Sequence, residues 1–199
     1  DYANGQRLDE ISAFSGETLS EAYADIGAFY GYGNQQAFLG YEGFIIDPVN
    51  DTDENTNYAS NITGGNYNQR YTYNATGYNG KLAFNFATSY DDTFYFGLNL
   101  NSHFINYEQT TLFRESNSNV SSSVTNVNFE NDLLTTGSGF SFQLGGIAKL
   151  TEAFRVGLSY NSPTWYRISE ETSQYLATTR IENGSSLNQV INPNVVNIY

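Results

Sequence analysis

Cysteine and methionine are both missing from the 199 residues, proline occurs three times, and tryptophan and histidine once each. Without cysteine there is no disulfide, no thiolate zinc site and no thiol nucleophile. Positive charge is equally scarce: 8 Lys and Arg stand against 21 Asp and Glu, a formal net charge of −13. A nucleic-acid backbone would be repelled rather than held, so no nucleic-acid partner is expected. Long apolar runs are missing too, because Gly, Asn or a charge interrupts every stretch before the roughly 18 to 20 residues that a transmembrane helix needs. Any membrane span must therefore be β. No signal peptide is recognisable and no Met opens the chain, which leads us to expect a mature protein or an internal piece of one.

What is present is unusual in a different way. Aromatic residues make up 16% of the chain, with 17 Tyr and 14 Phe, and there are 18 Gly, yet only 15% of residues are charged. The mean hydropathy is still negative, at −0.46. The apolar content is balanced by Asn, Ser, Thr, Gln and Gly instead of Lys and Glu, which suits a sheet with one aromatic face and one uncharged polar face.

Residues 1–69 carry mixed signals. Leu19, Tyr23, Ile26 and Tyr30 fall at helical spacing, with Ser15 or Thr18 as a cap and Glu17 and Glu21 in the first turn, where the helix dipole favours them. Gln36 to Ile46 is read as a second helix. From Asp47 to Gln69 the text is rich in Asn, Asp, Thr and Gly and has the composition of a loop.

The regular part lies in residues 70–175. Tyr78 to Tyr90 alternates with period two, placing Leu82, Phe84 and Phe86 on one face and Lys81, Asn85 and Ser89 on the other. Asp91 and Asp92 make a tight turn. Phe94 to Tyr107 repeats the pattern, with Phe96, Leu98 and Leu100 opposed to Asn99, Asn101 and His103. A Ser/Asn-rich segment at 114–132 is read as a long solvent-facing loop. Alternation returns in Gly139 to Ala148, where Phe140, Phe142 and Leu144 oppose Ser141 and Gln143. A short turn then leads to Phe154–Tyr160, with Val156 and Leu158 opposed to Arg155 and Ser159. Residues 176–199 are read as a loop leading to a further strand. Four long strands, short turns at one end and a long loop at the other match a transmembrane β-barrel, with Tyr78, Tyr90, Tyr107, Tyr160, Trp165 and Tyr166 at girdle positions. A barrel must close, because an open edge leaves unpaired backbone groups in lipid. Four strands are too few, so more strands from elsewhere are expected.

The phrases GYNGKLAFNFATSYDDTFYFGLNLNSHFINY and GFSFQLGGIAKLTEAFRVGLSYNSPTWYRIS resemble the middle of Bacteroidota members of the FadL/OmpP1 family. Ser162-Pro163-Thr164-Trp165 is the most recognisable part, and INPNVVNIY resembles the family's lead-in to a further strand pair. The resemblance implies an antiparallel barrel of about 14 strands in the bacterial outer membrane, closed by an N-terminal hatch that this sequence lacks. It also implies uptake of hydrophobic small molecules such as long-chain fatty acids, through helical extracellular loops that offer a greasy capture site.

On that reading Leu19, Tyr23, Ile26, Phe29, Tyr30, Phe38 and Leu39 line a hydrophobic ligand groove; the plainer alternative is that they pack the two helices together. The lumen face would carry Asn85, Asn99, Asn101, His103, Gln143 and Arg155. A lone histidine without Cys or a second His points to a hydrogen-bonded residue and not to a metal ligand or base. Arg155 and Lys81 either attract a carboxylate or pair with acidic residues of the barrel. Asp47, Asp51, Asp53 and Glu54 offer hard oxygens for Ca²⁺, but their spacing is not that of an EF-hand and an acidic surface loop needs no metal. The Asn-x-Ser/Thr sites at Asn50, Asn61, Asn74, Asn119 and Asn183 are what such a text produces by chance. No Ser/His/Asp set or phosphate loop stands out, so no enzyme and no cofactor are expected. Two other readings remain: a barrel of this type serving as a protein-binding subunit of a larger outer-membrane complex, and a soluble β-sandwich binding module.

The parity carries its own test. Arg in place of Phe84 is expected to cost about 2 to 4 kcal/mol of stability near a bilayer midplane, and Arg in place of Asn85 much less, measured by reversible unfolding in lipid. Equal costs at the two positions would exclude the assignment.

Overall fold

The computed structural model describes residues 18–50, 52, 55–119 and 122–199. Among the described residues two helices come first: α1, Leu19–Tyr30, and α2, Tyr32–Glu42. Thr18 caps α1 through a capping box. The Glu21 backbone N–H donates to Thr18 Oγ1 (3.3 Å), and the Thr18 backbone N–H and hydroxyl both donate to Glu21 Oε2 (2.8 Å each). These bonds, the backbone one foremost, hold the Glu21 carboxyl below its usual pKa. Gly31 joins the helices at φ +88° with open space around it, so its conformation, and not crowding, requires glycine there.

Nine strands follow among the described residues: β1, Ile46–Pro48; β2, Tyr58–Ser60; β3, Tyr67–Tyr90; β4, Phe94–Asn117; β5, Val124–Lys149; β6, Arg155–Asn161; β7, Trp165–Glu182; β8, Ser185–Ile191; and β9, Asn197–Ile198. At 65% strand and 12% helix the fold is all-β, mostly antiparallel. β1 and β2 form a small hairpin, and the remaining strands form one sheet in the order β3-β4-β5-β7-β8, with β6 on β5 and β9 on β7. Both tight turns use left-handed backbone: Asp91 and Asp92 have φ of 51° and 45°, and Asn183 and Gly184 of 50° and 77°. Asn-Gly is the dipeptide best suited to such a hairpin turn.

The break between β6 and β7 is a β-bulge. Before it, Leu144 lies opposite Tyr160 and the Ser162 N–H donates to the Phe142 carbonyl (2.9 Å). Beyond it, Trp165 stacks on Phe142, with centroids 6.2 Å apart, and the Tyr166 ring fills the space where Gly139 lacks a Cβ. One residue has been inserted in the later strand, and its side-chain parity switches. Pro163 has no N–H for the ladder, and Ser162 Oγ instead accepts the N–H of Phe142 at 2.9 Å.

The chain divides into two compact units. The first takes the chain up to Asn74 together with Gln109–Leu133 and Glu171–Ile198; the second takes Ala75–Glu108, Leu134–Glu170 and Tyr199. The first holds the buried core, in which Tyr23, Ile26, Phe38 and Leu39 of the helices pack with Val124 and Val127 of β5, Leu176 of β7 and Ile191 of β8. Gln35 is buried in it with its carboxamide satisfied, donating to the Tyr23 carbonyl (2.9 Å) and exchanging hydrogen bonds with Asn197 (3.2 and 2.8 Å).

Four expectations need correction. The solvent-facing loop at 114–132 is largely strand, because β4 runs on to Asn117 and β5 begins at Val124. Buried Val124 and Val127 supply the reason, since they sit in the core beneath a Ser/Asn-rich text. Residues 176–199 are not a loop either: they complete β7 and pair it with β8, from Leu176 opposite Ile191 to Glu182 opposite Ser185. The Asp47–Gln69 loop contains the β1-β2 hairpin and the start of β3. The second helix starts at Tyr32 and ends at Glu42, four residues before Ile46.

Ile26 is fully buried, whereas Phe29, three residues on, is 76% exposed. Denaturant unfolding of Ile26→Ala is expected to show a loss of about 2 to 5 kcal/mol, and of Phe29→Ala a change within about 0.5 kcal/mol.

Candidate functional site

In the second unit, one face of the sheet is built from even-numbered residues of β3 to β6. The Tyr78 ring meets Phe104 edge-on, 5.9 Å between centroids, and Phe104 occupies the space that Gly80 leaves by having no Cβ. Phe86, Phe96, Leu98 and Leu144 surround a hollow of about 370 Å³ at Gly97 and Gly145. Phe142 gathers Phe140, Tyr160 and Trp165 around it. These side chains have little on top of them: Leu82, Phe84, Phe86 and Phe96 are 53 to 59% exposed and Leu158 is 82% exposed. Exposed apolar surface of this extent is costly in water.

The opposite face is polar and tied together across strands. Asn99 Nδ2 donates to Gln143 Oε1 (2.9 Å), and Asn101 Nδ2 to Ser141 Oγ (3.3 Å). His103 Nε2 lies 2.8 Å from the same Ser141 oxygen, with the Tyr166 ring packed edge-on against the imidazole. Asn101 and Ser141 are buried. Arg155 lies directly opposite Lys149 and shares the face with Gln143. Asn85 is exposed on β3. The structure thus brings Asn99 and Gln143 together as one hydrogen-bonded pair and Asn101 and His103 together on Ser141, on the same face, and shows neither Asn85 nor Arg155 in these bonds. Ser141 was placed on this face by the sequence but given no role there, and Tyr166 was read as a girdle residue instead. Ser141 was legible by alternation, whereas Tyr166 was hidden by the bulge.

The seven apolar residues proposed for a groove do not converge. Tyr23, Ile26, Phe38 and Leu39 are 0 to 1% exposed and belong to the core, with Leu19 packed against it. Phe29 and Tyr30 are exposed at the end of α1. The Tyr23 hydroxyl donates to Gln174 (2.9 Å), which ties α1 to β7.

Of the acidic set, Asp51, Asp53 and Glu54 lie outside the described residues. Asp47 accepts a hydrogen bond from Asn61 Nδ2 (2.7 Å). Among the described residues no group of three or more His, Cys, Asp or Glu is gathered as a metal site. Near Asp47, the Arg180 guanidinium lies 3.7 Å from the centroid of the Phe44 ring and 3.0 Å from Glu182. Burial pushes the Glu42 carboxyl above its usual pKa.

No family model matches the chain, and no curated protein matches it. Among solved structures it is similar to the cryoEM structure of the membrane pore complex of pneumolysin, with 10% identity and a TM-score of 0.18 over 81% of this chain. The chain spans 36% of that chain's length. A likeness of this size carries no argument about fold or function.

Proposed function

We propose that this chain forms part of a membrane-spanning β-barrel of the bacterial outer membrane, of FadL type, which lets hydrophobic small molecules cross by binding and diffusion without chemistry. The observation that carries the reading is the exposed apolar face of the second unit, backed by a hydrogen-bonded polar face on the same strands. Lipid is the medium that accepts the first face, and a hydrated interior the medium that accepts the second. A soluble sandwich instead packs its aromatic face against a second sheet.

Strand length and chemistry agree with this. A tilted strand crosses a bilayer in about 9 to 11 residues, and β3, β4 and β5 have 24, 24 and 26. The apolar exposed face belongs to the strand segments in the second unit, while the first unit has a conventional core of its own. β3 ends the sheet and is exposed along nearly all its length. In lipid its free edge must pair with another strand.

The reading is tested on the full-length parent protein by membrane extraction followed by mass spectrometry of co-purifying lipid. Release only by detergent, with fatty acid or another apolar molecule retained, is the expected result. Detergent-dependent protein that retains no apolar molecule and brings down protein partners would replace transport with the role of a complex subunit. Solubility without detergent would remove the membrane reading.

A further inference from the structure

The first unit contains a second concavity that the membrane reading does not use. It is a cleft of about 540 Å³, within the range of small-molecule sites, formed where β5 and β7 meet the connection from β8 to β9. Glu130 and Asp132 are two apart on β5, and Ser173 and Tyr175 are two apart on β7, so each pair presents side chains to one face. Asn192 and Asn194 close the other wall.

That wall is held in place. Pro193, between the two asparagines, is fully buried, and the Ser20 hydroxyl of α1 donates to its carbonyl. Asn194 takes left-handed backbone at φ 54°, and its N–H donates to Asn192 Oδ1 (3.0 Å). With that oxygen engaged, the Asn192 amide group is left as a donor. On the opposite wall, Asp132 Oδ1 accepts the Thr110 hydroxyl at 2.5 Å, which fixes its carboxylate.

We infer that this cleft between β5, β7 and the Asn192–Asn194 wall binds a saccharide ring. The chemistry of the lining selects that class. Planar carboxylates and carboxamides match the paired donor and acceptor hydroxyls of a sugar, and Tyr175 adds an aromatic surface for the C–H face of the ring. A divalent cation fits less well, because the described residues gather no third acidic ligand beside Glu130 and Asp132. The inference concerns the first unit alone and does not rest on the membrane reading.

The test is saturation-transfer NMR on the full chain, held in an amine-oxide detergent that carries no sugar, with glucose, galactose, mannose, N-acetylglucosamine and maltose as probes and Ca²⁺ as a separate titrant. Transfer to the ring protons of at least one sugar is expected, with affinity falling about tenfold in Tyr175→Ala and in Glu130→Gln. Glu130→Gln is isosteric, and an unchanged unfolding curve for it separates lost binding from lost folding. Absence of transfer from every sugar at millimolar concentration would overturn the inference. So would transfer that both variants leave intact, or Ca²⁺ binding abolished by Glu130→Gln without any sugar binding.

Discussion

Adjacent residues of a β-strand point to opposite sides of the sheet, so a strand cannot choose its two surroundings independently. In the second unit this constraint is pressed hard: Phe84 and Asn85, Leu98 and Asn99, and Leu144 and Gln143 are covalent neighbours that require opposite media. Cross-strand bonds such as Asn99 to Gln143 tie the polar members together on one face, and that leaves the apolar members exposed together on the other. Register and exposure are consequences of one another here, because a slip of a single residue would exchange the two faces.

The first unit solves the same problem in the ordinary way. Its strands are covered by α1 and α2, and Tyr23, Ile26, Phe38 and Leu39 fill the space beneath them. Polar groups caught inside are matched, as with Gln35 and Asn197, whose carboxamides satisfy one another. The contrast between the units explains a composition that is aromatic and yet, by mean hydropathy, polar. One set of apolar residues is hidden by helices and the other is offered outward.

Legibility followed the strength of periodicity. Alternation was readable because Phe and Leu repeat on one parity at Leu82, Phe84 and Phe86 and again at Phe94, Phe96, Leu98 and Leu100, and the structure keeps them on one face. The start of α1 was readable only as Ser15 or Thr18, and the capping box of Thr18 with Glu21 decides for the second. Strand at Arg114–Asn117 and from Val124 was not, because Ser and Asn fill the positions that solvent reaches and only two valines mark the covered side. The hairpin at Asn183-Gly184 had its signal in plain view, but the Asn/Ser-rich surroundings outweighed it. The helix residues were correctly located as apolar, yet spacing alone does not distinguish a face turned to a ligand from one turned to the protein's own sheet.

The bulge at Ser162–Thr164 bears on how this sequence tolerates change in length. A change of length in the turn at Asp91–Thr93 would shift β3 against β4 as a whole. Loss of one residue between Asn161 and Trp165 would instead carry Trp165 to the side of His103 and Tyr166 to the side of Phe142, and invert the strand that follows. A three-residue phrase containing proline thus acts as the hinge of a code, and insertions or deletions there change the meaning of every position downstream.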